Sequence, residues 1–500
     1  MKRWPTPQRL LPLLALAFAL LAGVGLRLYD LTDPPLDFYP TRQYRSLILA
    51  RSFYLTWRPG AINRLEQERR AAGNRIARYE PPLLEALVAR TYVLLGEEKP
   101  WVIRIYNTLF WLLGALGLGL LARRIHPHPA LPVAAIGYWM LLPFTVQVTR
   151  AFLPDPLMTV LLVWSSLVWY RWAQEGRGRW LVAAGLLGTA AAVVKIYALF
   201  FLLPMGLALA WTRTTRLWRP HPWWLAWLLP PGVALPVYLR LHSPDDAAGF
   251  LVSWTLKLKH WWLSPMPYGG WLDTVNNALH GGWVLVALLA LLLTAQPKPY
   301  RAFVLSWLAG YVLYGSVFLI QFATHAYYHL PLVPLIALGM GLALRHLTEL
   351  LPSQPRWAQG VVLLLLSTAW IYPAGITYWH LRSVDYRPKA EAYRRIGQSL
   401  PRDGKIMALT EGYGWPLLYH GDVFHVTRWP TQAHALLFGT WDRAFEDFFR
   451  ERTRGYDYFL VTDFEEFWRQ APLRHYLYER YPLIHQGGDY LLWDLRRPQK

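Results

Sequence analysis

The sequence predicts a polytopic α-helical membrane protein of about eleven spans, followed by a small extracytoplasmic α/β domain. Three observations lead there. Of its 500 residues 54% are hydrophobic and 15% aromatic, with 28 tryptophans, a balance far from that of an ordinary soluble enzyme. Tryptophan and tyrosine gather at the ends of apolar runs, as in YRW at 170–172 and RPHPWW at 219–224, where interfacial belts lie. The basic residues behind the formal charge of +20 sit in short loops between apolar runs, the pattern left by membrane insertion, and this argues against nucleic acid as a partner. With no cysteine, neither disulfides nor thiolate chemistry is available.

In chain order, MKRWPTPQRLLPLLALAFALLAGVGLRLYD joins a basic start to an apolar core, expected as an uncleaved first span over 10–28 rather than a signal peptide. Further spans are expected over 101–122, 129–148, 156–173, 180–194, 196–212, 222–240, 279–295, 302–320, 328–345 and 357–376. The two from 180 to 212 form one run too long for a single crossing, with Lys195 at the turn between them. The stretch RYEPPLLEALVARTYVLLG (78–96) is nearly long enough to cross, yet it opens on Glu-Pro-Pro and carries Glu85 and Arg90. Loop charge decides its place. With the N-terminus in the cytoplasm and 78–96 not crossing, the segments 122–128, 171–179, 211–221, 296–301 and 345–356 face inside, and each is basic. If 78–96 crossed, all five would move outside. The positive-inside rule therefore makes 78–96 an interfacial helix on the external face.

On that count the external face collects the loop 29–100, TRAFLPDP (149–156), Lys195, the loop 241–278, ATHAYYH (323–329) and the tail. The chain is expected to divide into a transmembrane catalytic domain over 1–378, with the loop 29–100 carrying interfacial helices, and an extracytoplasmic α/β domain over 379–500. In the latter, helical EAYRRIGQSL precedes the strand-like runs GKIMALTE, YDYFLVTDF and DYLLWDL. No internal repeat is evident, which weighs against a transporter built from inverted halves.

Several external residues are suited to chemistry. Asp37 beside an apolar helix suits a general base, although an aspartate there also suits a turn or a helix cap. Arg42, Arg45 and Arg51 follow it on one interfacial helix. Glu80 stands just before two prolines, and Asp155 opens a span where the helix N-terminus favours a carboxylate. Lys195, alone in AAAVVKIYALFFLLP, is costly unless it reaches water, a phosphate or a partner. His325 and His329 are four apart, but the helix there starts near Tyr327, against a metal pair; His126 and His128 fall among cytoplasmic surface residues. Walker, zinc, GxSxG and Rossmann spacings are all missing, which excludes soluble nucleotide-dependent chemistry. Three acids and a lysine on one face suit a hydroxyl acceptor activated by a carboxylate, with cations holding a phosphate leaving group.

Taken in order, these segments resemble the GT-C superfamily of polyprenyl-phosphate-sugar glycosyltransferases, nearest the branch with protein O-mannosyltransferases and the lipid A aminoarabinose transferase. DFYPTRQYRS puts Asp37 in the family's acidic place and Arg42 in its basic one, with Phe38 where a second acid usually follows. YEPPLLEALVARTYVLLGEEKPWVIRIYNTLF supplies Glu80, Gly96 and Arg104, FLPDPLM supplies Asp155, VVKIYALFFLLP supplies Lys195, and HAYYHLPLVPLIALGMG matches a late basic-aromatic-proline segment. The resemblance runs over residues 1–350. It implies an inverting transfer of a sugar from a polyprenyl-phosphate donor to a hydroxyl of a lipid, glycan or protein acceptor, in the plasma (inner) membrane. Asp37 would take the acceptor proton, and Arg42, Lys195, His325 and Tyr328 would hold the donor phosphate. Glu80 and Asp155 would shape the donor site or hold a divalent metal ion, whose use varies across the superfamily. A lipid-linked sugar flippase and a ligase using a polyprenyl-diphosphate donor are the competing readings; a transporter would place functional charges at mid-membrane and on both sides. Acceptor choice is expected from the loop 241–278 and the tail.

Overall fold

The structure is a computed structural model that describes residues 7–214, 221–241, 255, 258–294, 297–350, 355–401, 403–437 and 444–499. The stretch 243–250, part of the loop expected to choose the acceptor, lies outside the described residues. The chain divides into two compact units. One is Met1–Leu31, Ala77–Leu84 and Trp101–Val384; the other is Thr32–Ile76, Glu85–Pro100 and Asp385–Lys500.

The first unit is helical. Each predicted span falls on a helix: Pro7–Leu28, Val102–Ile125, Ala130–Leu141 with Pro143–Arg150, Asp155–Glu175, Gly178–Val194, Leu199–Trp211, Trp223–Leu241, Gly281–Leu293, Lys298–Val317, Val333–Leu350 and Arg356–Ser383. By length and apolarity alone, three helical segments among the described residues are fit to cross a membrane, Leu11–Leu28, Val102–Ile125 and Ala326–Leu350. Two bent pairs raise that to five. The count of about eleven is therefore not fixed by helix length and composition.

The bends have local causes. Leu142, ahead of Pro143, is extended (ψ 124°), because a residue before proline is driven out of the helical region. The two helices on either side meet at 55°. At the second bend Met266–Leu279 and Gly281–Leu293 meet at 90° across His280, whose φ is +59°.

Buried arginines close the helix ends of this unit. Arg150 donates to the carbonyls of Arg27 and Tyr29 at 2.9 and 2.5 Å, satisfying acceptors that the end of Pro7–Leu28 leaves open. Arg27 donates to Thr149 Oγ1 and to the carbonyls of Gly23 and Met140, each at 2.8 Å. Arg104 donates to the Leu31 carbonyl at 2.7 Å. Glycine sets the closest helix approaches. A Cβ on Gly341 would fall 2.5 Å from the Leu131 carbonyl oxygen, and one on Gly339 equally close to that of Ala287, so small residues let backbones touch.

The second unit combines the helices Pro40–Trp57, Arg64–Asn74 and most of Leu83–Leu95 with the C-terminal α/β region. Leu83–Leu95 has 13 residues, roughly 20 Å of helix, against the roughly 30 Å of a hydrocarbon core, so it is too short to cross upright. Its Glu85 accepts from Ser46 Oγ at 2.7 Å, and Tyr92 packs edge-on against Tyr54. The C-terminal region holds five strands, β1 (Ile406–Leu409), β2 (Val426–Arg428), β3 (Tyr458–Val461), β4 (Leu483–Gln486) and β5 (Leu491–Asp494), in the order β2-β1-β3-β5-β4. β1 runs parallel to both β2 and β3, while β5 is antiparallel to β3 and β4. Met407, Leu409, Trp429, Phe449, Phe459, Val461, Phe467 and Trp493 form its core. The helical run expected ahead of the strands is Arg387–Ser399. β1, β3 and β5 fall in the strand-like apolar runs of the sequence; β2 and β4 are largely unburied and carry no such signal.

Candidate functional site: a buried lysine between carboxylates and tyrosines

Three elements of the first unit converge on Lys195. The helix Gly178–Val194 ends there: Lys195 adopts an extended conformation (φ −154°, ψ 118°) before a short 3-10 turn, Ile196–Ala198, restarts the chain toward Leu199–Trp211. Tyr238 secures this break. Its hydroxyl accepts from the Ile196 amide at 3.0 Å and reaches the Val194 carbonyl at 3.4 Å, on either side of the lysine.

Asp155 comes from the first turn of the helix Asp155–Glu175, where exposed backbone N–H groups favour a negative charge. Lys195 Nζ lies 2.8 Å from Asp155 Oδ1 and 3.0 Å from Oδ2. Both residues are 1% exposed. Glu80 Oε1, from the Ala77–Leu84 segment, is 3.8 Å from the same nitrogen and is the more open of the two acids. The rings of Tyr197, Tyr327 and Tyr328 surround the ammonium, with centroids at 5.2, 5.3 and 5.2 Å, within the range of cation–π attraction. A charged lysine is tolerable at such depth because two carboxylates and three ring faces replace its water.

His325 belongs to the rim of this cluster. Its Nδ1 is 2.7 Å from Thr324 Oγ1, and its ring meets Tyr327 and Tyr328 edge-on at 5.5 and 6.1 Å. His329 is a core residue instead. Its Nδ1 is 2.7 Å from the Tyr311 hydroxyl and its Nε2 is 2.9 Å from the Phe322 carbonyl, so both ring nitrogens are engaged.

Four expected residues of the first unit beyond Glu80 thus come together: Asp155, Lys195, His325 and Tyr328. Asp37 and Arg42 belong to the second unit. There Asp37 precedes the helix Pro40–Trp57, whose Gln43 Nε2 donates to Asp37 Oδ1 at 3.0 Å and to the Phe38 carbonyl at 2.7 Å. Tyr39, between them, sits at φ +49°. Arg42 lies half-buried in the first turn. Arg51, on the same helix, is not a ligand-facing cation: it is buried against Glu98, with Nε 2.9 Å from Oε2. Sequence reasoning missed Tyr197, Tyr238 and Tyr327, although a tyrosine two residues past an intramembrane lysine was a usable signal.

Glu80 and Asp155 both turn toward the Lys195 ammonium rather than toward a third acid or histidine. Both Asp155 oxygens are taken by the Lys195 ammonium, and among the described residues no group of three or more histidines and acids is arranged to hold a metal ion.

Residues 79–238 match the family model described as dolichyl-phosphate-mannose-protein mannosyltransferase. Among curated proteins no sequence matches this chain. Solved structures do. The oligosaccharyltransferase of Archaeoglobus fulgidus in its apo form aligns at 14% identity with a TM-score of 0.55, covering 94% of this chain and 73% of its own. ArnT from Cupriavidus metallidurans bound to undecaprenyl phosphate aligns at 15% identity with a TM-score of 0.53, covering 96% of this chain and 97% of its own. The chain carries the GT-C glycosyltransferase fold. At these identities the structural likeness is one of architecture, and among the described residues that architecture includes helices long and apolar enough to cross a membrane. The Archaeoglobus enzyme was also solved in complex with Zn and sulfate.

Proposed function

We propose that this GT-C chain transfers a sugar, with inversion, from a polyprenyl-phosphate carrier to a hydroxyl of a lipid, glycan or protein acceptor on the extracytoplasmic face of the membrane. The observation that carries this reading is the Lys195 cluster: Glu80, Asp155 and Lys195 all lie within the stretch matching the mannosyltransferase family model, and they converge on one ammonium. The undecaprenyl phosphate bound by the Cupriavidus structure supports a lipid-phosphate donor.

In this mechanism Asp37 accepts the proton of the acceptor hydroxyl as its oxygen attacks the anomeric carbon. The bond from that carbon to the phosphate oxygen breaks on the opposite face, and its electron pair leaves with polyprenyl phosphate. Lys195 Nζ donates to both Asp155 oxygens, which aim the ammonium. With Arg42, His325 and Tyr328 it stabilises the charge that grows on the leaving phosphate. Glu80 and Asp155 shape the donor site.

The deciding experiment is transfer from a labelled polyprenyl-phosphate sugar by purified protein, comparing wild type with Asp37→Asn. Loss of transfer with donor binding retained is expected, and unchanged activity would overturn the role of Asp37. A reporter on the C-terminus tests orientation separately, and a cytoplasmic signal would overturn it.

A further inference from the structure

The parallel strands of the second unit have a topological switch point. From β1 the sheet grows to β2 on one side and to β3 on the other, so the connections leaving β1 and β3 part at their carboxyl ends. In open α/β sheets this is where a crevice forms and ligands bind.

The residues at these carboxyl ends are chemically particular. β1 continues into Thr410, Glu411, Gly412, Tyr413 and Gly414; β3 continues into Thr462 and Asp463. Thr462 Oγ1 donates to Thr410 Oγ1 at 2.7 Å across the switch. Gly412, Tyr413 and Gly414 have φ of +55°, +60° and +81° in succession. A bulky tyrosine in the left-handed region is a true outlier that a glycine would relieve, so the loop accepts strain in order to present that ring. Tyr413 is 39% exposed. The guanidinium of Arg428, from the end of β2, lies 3.3 Å over its ring, and Arg428 Nη2 is buried with no hydrogen-bond partner among the described residues. Such an unmet donor is costly unless a ligand or water answers it.

Charge narrows the ligand. Lys389 pairs with Glu411, Asp463 caps the helix Phe464–Arg469 through the Glu466 amide, and Arg428 completes the set. Among these four residues the charges cancel, and Arg452 is the next cation beyond Arg428, so nothing here calls for a strongly charged ligand and the crevice suits a neutral molecule. Planar carboxylates and a guanidinium grip neighbouring hydroxyls, and an exposed aromatic ring takes an apolar C–H face. That combination is saccharide chemistry. The crevice also adjoins the candidate base: a Cβ on Gly412 would lie 3.8 Å from the Thr41 amide, at the start of the helix that follows Asp37.

We infer that the crevice at the carboxyl ends of β1 and β3 binds a neutral saccharide, the sugar portion of the acceptor, and delivers it toward Asp37. Saccharide binding stands on the crevice alone; calling the saccharide the acceptor rests on the transferase reading. The test uses the full chain in lipid nanodiscs and ligand-observed NMR with a panel of neutral tri- to hexasaccharides. Wild type and Tyr413→Phe should bind a member of the panel, while Tyr413→Gly and Arg428→Met should bind it about tenfold or more weakly. Tyr413→Gly relieves the positive φ but gives up the ring under Arg428, so Tyr413→Asn, which also tolerates that φ, repeats the test, and thermal unfolding of each variant separates lost binding from lost folding. Failure of wild type to bind any of the panel, or unchanged binding in both variants, overturns the site. Binding that depends on Tyr413 without sugar transfer would keep the site and overturn the transferase reading.

Discussion

Lys195 Nζ and Asp155 Oδ1 lie 2.8 Å apart, and both side chains are closed off from solvent. A buried ion pair is stabilised mostly by the cost of breaking it, because a charge stripped of its partner at that depth is poorly solvated. Lys195→Met or Asp155→Asn alone should therefore destabilise the protein by about 3–5 kcal/mol. The double variant should lose clearly less than the sum of the two. Thermal unfolding in detergent measures all three; strict additivity would mean the pair is not coupled.

Arg51 should be the most sensitive cation of the second unit. It donates to both oxygens of Glu98 and to the Tyr419 carbonyl at 2.9 Å, with its guanidinium 3.6 Å over the Tyr419 ring. Arg51→Ala should cost about 3–5 kcal/mol, and Arg51→Lys should recover only part, since an ammonium cannot serve two carboxylate oxygens, a carbonyl and a ring together. Arg450→Ala, which removes an exposed pair with Glu446, should leave unfolding unchanged.

The second unit should weaken in acid. Burial, with Arg394 and Arg51 nearby, lowers the pKa of His420 from 6.5 to about 3, and the neutral ring meets the Tyr44 hydroxyl at 2.8 Å. Burial lowers that of His434 to about 4. Between these values and 6.5 the unfolded chain binds more protons than the folded one, so stability is full above 6.5 and falls as pH drops toward 3. His420→Gln should flatten that slope in unfolding curves recorded from pH 7 to pH 4, and an unaltered slope would refute the assignment.

Gly341 should tolerate no side chain. Gly341→Val forces Val333–Leu350 off the Leu131 backbone and should cost about 1–3 kcal/mol. At Gly375, where nothing lies within 4 Å of an added Cβ, alanine should be neutral or stabilising in the same melting assay.

The sequence by itself determined the helical membrane character, because long apolar runs flanked by tryptophan and arginine have no other low-energy home. It also located the helix break at Lys195: a lysine within an apolar run must find an unusual environment, and Glu80 and Asp155 were recognisable as acids beside apolar helices. Segments rich in strand-forming residues announced β1, β3 and β5 for the same local reason. Local chemistry carries no information about partners far along the chain. Only the tertiary structure decided that Lys195 is wrapped by Tyr197, Tyr327 and Tyr328, that His329 is spent on Tyr311 and Phe322, and that Arg51 is committed to Glu98. These contacts join residues tens to hundreds of positions apart, and close packing selects them among many patterns that composition would allow equally.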